Sequence, residues 1–135
     1  MKKIIYIVAI TVLSLFFVSC DEESSANEVN NLLDTWVHSS TTSEADINIV
    51  MVLSEGTFST ETVVYYINYD LNITCQSSGI FNVIDTEINW SEIITSCDNL
   101  DEDIGVEDYT GAYVLYEDTL TLTESNGESR VYNRQ

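Results

Sequence analysis

Gly111-Ala112-Tyr113-Val114-Leu115-Tyr116-Glu117-Asp118-Thr119-Leu120-Thr121-Leu122-Thr123 is the stretch whose reading decides the fold. Tyr113 and Leu115 alternate with Val114 and Tyr116, and Leu120 and Leu122 alternate with threonines. A period of two puts every second side chain on one face of an extended strand, whereas a helix repeats every 3.6 residues. The two runs flank Glu117-Asp118, a two-residue connection that suits a β-hairpin. Just downstream, Asn126-Gly127 is the strongest hairpin signal in the chain and leads into Arg130-Val131-Tyr132.

The same grammar runs upstream. Ile47, Ile49, Met51 and Leu53 alternate with Asn48, Val50, Val52 and Ser54, and Ser54-Glu55-Gly56 turns the chain into a β-rich run from Thr57 to Tyr69. Leu71–Cys75 continues extended, Ser77-Ser78-Gly79 punctuates it, and Ile80–Ile84 and Glu87–Ile94 flank Asp85-Thr86 as another hairpin. About eight strands joined by short turns predict an all-β fold, an eight-stranded antiparallel up-and-down barrel, because closure removes exposed sheet edges. Before them, Ser25-Ala26-Asn27-Glu28 has capping-box spacing, and Val29, Leu32 and Leu33 recur at helical intervals, predicting one short N-terminal helix that ends before Trp36.

The start of the chain reads as an address. Lys2-Lys3 precede the uncharged run from Ile4 to Val18, too short to span a bilayer comfortably, and Ser19-Cys20-Asp21-Glu22-Glu23 follows. Phe17-Val18-Ser19-Cys20 resembles the lipobox of bacterial lipoproteins, which implies that Cys20 carries lipid and becomes the new N-terminus. The expected organisation is a signal peptide over 1–19, a lipidated acidic tether over 20–27 and a single barrel domain over 28–135. If Cys20 carries lipid, Cys75 and Cys97 remain as a pair in an oxidising compartment and are expected to form a disulfide.

Composition excludes several functions. The chain has 4 Lys and Arg against 23 Asp and Glu, for a formal charge of −19, and two of the four cations leave with the leader. Nucleic-acid binding needs clustered Lys and Arg to release counterions, so no nucleic-acid partner is expected. Without a lysine after the leader there is no Schiff-base or P-loop lysine. His38 stands beside Ser39 and Ser40, but neighbouring strand residues face opposite ways, so no base and nucleophile meet there. The chain is read as a non-enzyme that needs no cofactor. The acidic run from Asp98 to Asp108 lacks EF-hand register, since Ile104, Glu102 and Leu100 precede Gly105, so it reads as a solvated loop and not a metal site.

Several segments together resemble the lipocalin-like lipoproteins of Bacteroidetes. They are Leu32-Leu33-Asp34-Thr35-Trp36, Leu53–Phe58, Gly79–Val83, Tyr113–Thr123 and Tyr132-Asn133-Arg134, so the resemblance spans Leu32 to Arg134. It implies a barrel with a Gly-X-Trp at the start of the first strand and an Arg near the end of the last. Trp36 matches the Trp, Arg134 or Arg130 the Arg, and Asp34 stands where the Gly is expected. An Arg over the indole closes the barrel base by cation–π attraction, with Trp36 and Arg134 as the expected pair. Met51, Phe58, Trp90, Tyr113, Leu115, Leu120 and Leu122 are the candidates to face the interior. Such an interior is either filled by side chains or holds one small ligand. The resemblance favours a small apolar or amphipathic ligand, and the alternative is a solid barrel whose surface engages a protein or glycan. The chain is expected to be a monomer. Asp21-Glu22-Glu23 also resembles a Bacteroidetes surface-export signal, implying the outer membrane and the cell surface, with a periplasm-facing location as the alternative.

Overall fold

The computed structural model describes residues 29–135, so the leader, Cys20 and the acidic tether lie outside the described residues. Residues 29–32 form a helical turn, and the compact unit that carries the barrel runs from Leu32 to Gln135. The start of the expected helix lies outside the described residues.

Nine strands follow: β1 Thr35–Thr41, β2 Ala45–Ser54, β3 Thr57–Tyr66, β4 Leu71–Ile84, β5 Glu87–Cys97, β6 Ile104–Val106, β7 Tyr109–Tyr116, β8 Thr119–Thr123 and β9 Ser129–Arg134. All pairings are antiparallel, and β9 pairs with β1 while β4 pairs with β5, so the sheet closes. The barrel has eight walls because β6 and β7 share one of them. β7 pairs with Glu87–Trp90 of β5, and β6 pairs with Ile93–Thr95 of the same strand. The expected eight-stranded antiparallel barrel is the fold of the protein.

Turn chemistry sets the register. Gly56, at φ 71°, takes the left-handed backbone of the β2–β3 turn, and Asp85 and Glu117 adopt φ of 55° and 52° in their two-residue turns. β3 ends at Tyr66, and a 3-10 turn over Ile67–Tyr69 replaces the last part of the extended run expected there. Ser77-Ser78-Gly79 does not break the chain either. It lies inside the 14-residue β4, opposite a β-bulge in β5.

That bulge decides which residues form the core. Ser78 pairs with Ile94 and Ile80 with Ser91, so β5 carries one extra residue, and Glu92 adopts φ 52° there. The insertion reverses the alternation of β5. Ile88 and Trp90 point inward before it and Ile93 after it, at 6% exposure, while Ile94 faces out at 54%. Asp108 Oδ1 accepts the Glu92 N–H at 3.2 Å, which satisfies a donor freed from the ladder. Gly79 faces the bulge. A Cβ built there would stand 2.7 Å from the Ser91 carbonyl oxygen and 2.8 Å from Phe58 Cε1, so only glycine fits.

Leu32, Trp36, Ile88 and Leu120 are fully buried and fill the barrel toward the end where β1 begins and β9 finishes. Complete burial of each aliphatic side chain contributes about 1.5–3 kcal/mol. Trp36 Nε1 donates to the Leu32 carbonyl at 2.9 Å, so its polar edge is paired. This end is closed.

Candidate functional site

The closed end is held by one guanidinium. Arg134 lies opposite Trp36 in the β1–β9 ladder, with Cζ 4.7 Å from the indole centroid. Its Nη1 donates to Asp34 Oδ2 at 2.7 Å and its Nε lies 3.2 Å from Asp118 Oδ1. Asp34 Oδ1 also accepts the Thr35 N–H at 2.8 Å. That backbone donor and then Arg134 hold the Asp34 carboxyl below its ordinary value, against the opposing effect of partial burial. Asp34, at the position where the family resemblance expects glycine, thus serves as the anchor for the closing arginine.

The opposite half of the barrel is not filled. A cavity of about 150 Å³ lies among β2, β3, β5, β7, β8 and β9. Of the seven residues expected to face the interior, Met51, Phe58, Trp90 and Leu122 line it. Tyr113 and Leu120 are buried in the packed core, and Leu115 packs against that core half-buried. These three stand nearer the closed end, because β7 and β8 are joined by the Glu117-Asp118 turn, which lies beside Arg134.

Trp90 organises the cavity floor. Phe58 meets it edge to face at 4.8 Å and 83°, and Tyr109 stacks on it at 6.1 Å and 27°. Such pairs each add about 0.5–1.5 kcal/mol beyond area burial, which fixes the rings before anything binds. Ile49 and Tyr132 complete the apolar side, and Thr60 and Thr62 bring hydroxyls nearer the mouth. Burial pushes the Tyr132 and Tyr109 hydroxyls above their ordinary values, so both remain neutral at physiological pH. The Arg130 charge opposes the shift in each, and Glu124 adds to it.

The rim carries an ion pair. Glu124 follows the last residue of β8 and Arg130 is the second residue of β9, so the intervening hairpin brings them together. Arg130 Nη1 donates to Glu124 Oε1 at 2.7 Å, with side chains 45% and 37% exposed, and both residues line the cavity. Inside the hairpin, Gly127 N–H donates to the Glu124 carbonyl and Glu128 N–H to Asn126 Oδ1. Alternation alone does not identify Glu124, which lies past its strand. Scarcity marks Arg130 instead, since Arg130 and Arg134 are the Lys and Arg residues among the described residues.

Cys75 and Cys97 form a disulfide. They sit directly opposite one another on β4 and β5, with Cα atoms 4.0 Å apart. Asp98 N–H donates to the Thr74 carbonyl beside them, which marks Cys75 and Cys97 as the closer, non-hydrogen-bonded kind of pair. His38 Nδ1 is 2.8 Å from the Val131 carbonyl oxygen, and Ser39 Oγ donates to Asn48 Oδ1, so the two side chains are engaged separately. Among the described residues, no group of three or more His, Cys, Asp or Glu side chains is placed to hold a metal ion. No protein-family model matches the chain and no curated protein matches it, so the site is read from its own residues.

Proposed function

We propose that the chain is an exported lipoprotein, tethered through Cys20 to the outer membrane and facing the cell surface, whose barrel binds one small amphipathic molecule without transforming it. The observation that carries the binding reading is the 150 Å³ cavity. It has an aromatic floor of Phe58 and Trp90, a hydroxyl wall and a charged rim, in a barrel otherwise packed with side chains. A cavity of that volume is known to hold a benzene-sized guest, and it lies below the range of about 300–1,000 Å³ for drug-sized ligands. The guest is therefore about one ring or a short branched chain. Titration of the full-length protein with benzyl alcohol, followed by Trp90 fluorescence with Trp90→Phe as control, is expected to saturate. A linear, unsaturable response would refute cavity binding. For the anchor, Cys20→Ala should move the protein from the membrane to the soluble fraction, and continued membrane association would refute lipidation as the tether.

One observation favours a second reading, a surface-interaction module. Val50, Val52, Ser59, Gln76 and Ile94 line a groove on the outer face of β2 to β5, with Asp103 at its side. Val52→Lys with Ile94→Lys should abolish capture of a protein or glycan partner if that face is the working surface, and should leave cavity binding unchanged.

A further inference from the structure

We infer that the guest is a zwitterion: a free α-amino acid with a single-ring or branched apolar side chain. Its side chain fills the cavity and its head group lies against the Glu124–Arg130 pair. The inference rests on the cavity being a ligand site and adds the chemistry of the head group.

The argument begins with the rim. An ion pair as exposed as this one contributes about 0–1 kcal/mol to stability, so folding alone gives little reason to place it there. Arg130 is also a scarce resource. Among the described residues the cations are Arg130 and Arg134, and Arg134 is engaged by Asp34, Asp118 and Trp36 at the other end. Arg130 is thus the one guanidinium beside the cavity, and a guanidinium presents a planar fork that suits a carboxylate.

The charge balance then selects among head groups. A guest bearing only a carboxylate pairs with Arg130 but meets Glu124 and the field of a chain with formal charge −19. A guest bearing only an ammonium pairs with Glu124 but meets Arg130. A zwitterion avoids both penalties. Laid antiparallel to the existing pair, its carboxylate accepts from the guanidinium and its ammonium donates to the Glu124 carboxylate, and having no net charge it is not repelled by the acidic surface. The protein pair need not open for this to happen.

Geometry supports the arrangement. Glu124 and Arg130 flank one hairpin whose turn is held by its own hydrogen bonds, and Thr123 Oγ1 and Ser129 Oγ lie 2.8 Å apart across it. The two charges are therefore positioned before binding, which lowers the ordering cost. Both line the same cavity as Phe58 and Trp90, so one molecule reaches the floor with its side chain and the rim with its head. The volume admits the side chain of phenylalanine or leucine.

Calorimetric titration of the full-length protein with L-phenylalanine, 2-phenylethylamine, 3-phenylpropionate and benzyl alcohol tests the inference. L-Phenylalanine is expected to bind at least tenfold more tightly than the amine or the acid. Arg130→Gln and Glu124→Gln should each bring L-phenylalanine to the level of benzyl alcohol, with circular dichroism confirming that both variants keep the barrel. Benzyl alcohol binding as well as L-phenylalanine, with both variants indifferent, would overturn the head-group inference and leave the cavity reading standing. Tighter binding of the acid with a gain in Glu124→Gln, or of the amine with a gain in Arg130→Gln, would replace the zwitterion with an anion or a cation. Absence of binding by every probe would overturn both the inference and the cavity reading.

Discussion

Replacing Cys75 and Cys97 together by serine removes the one covalent cross-link among the described residues. The cysteines are 22 positions apart in sequence, and in the chain-entropy picture closing a loop of that length restricts the unfolded ensemble by about 3 kcal/mol. Against a typical domain stability of about 5–15 kcal/mol, this is a large share. A domain of this size has an unfolding entropy of roughly 0.2 kcal/mol/K near its midpoint, so the loss corresponds to a fall in Tm of about 15 °C. The loss should be uneven. The bridge ties the outer end of β4 and β5, where the other neighbour of β5 is the three-residue β6. Amide exchange should therefore accelerate at Leu71–Cys75 and Ile94–Cys97 more than at Phe81 and Trp90, which sit on the far side of the bulge within the core. The assay is a circular-dichroism melt of three samples: oxidised protein, reduced protein and the double variant, with the last two expected to coincide. A fall in Tm of less than about 5 °C would refute the reasoning, because it would mean that residual β4–β5 pairing already restricts the unfolded chain as much as the cross-link does.

Three further outcomes follow from the same contacts. Gly79→Ala should cost about 1–3 kcal/mol in a urea titration, as expected for overpacking, because its Cβ meets the Ser91 carbonyl and the Phe58 ring; an unchanged midpoint would show that the bulge relaxes freely. Trp36→Ala should cost about 3–5 kcal/mol, the range for a large buried aromatic, since Trp36 is fully buried beneath Arg134. The Thr35 N–H and Arg134 lower the folded-state pKa of Asp34, so its carboxylate adds stability above the ordinary carboxylate value and loses it as pH falls through that value toward the lowered one. Stability measured from pH 6 down to pH 2 should accordingly drop less steeply in Asp34→Asn, and parallel curves would refute its role as the anchor.

The barrel was legible where local rules act alone. Thr119–Thr123 alternates, Asn126-Gly127 turns and Glu55-Gly56 turns, and each of these depends only on residues close in sequence. The cysteine pairing followed from the count once Cys20 was assigned to lipid. Trp36 and Arg134, 98 positions apart in sequence, meet where β1 and β9 pair. Local rules failed at Ser77-Ser78-Gly79, where turn-type residues lie within a strand. There glycine answers the need for close approach to Phe58 and the Ser91 carbonyl across the sheet, and no neighbour in sequence reports that need.

The cavity was the least legible feature, for a related reason. Alternation names the inward residues of each strand, but it does not say which of them lie at the packed end and which border empty space. That depends on the stagger of eight strands around the closed ring, and on a bulge that turns Ile93 in and Ile94 out although both are isoleucine. The sequence by itself therefore determined an antiparallel meander, its turns and the scarcity of its cations, because these are set by period, backbone preference and composition. Tertiary structure alone decided that Tyr113, Leu115 and Leu120 pack toward one end while Met51, Phe58, Trp90 and Leu122 border a cavity at the other. It also decided that the two arginines divide between the ends, because closure and register set the level at which each inward side chain stands.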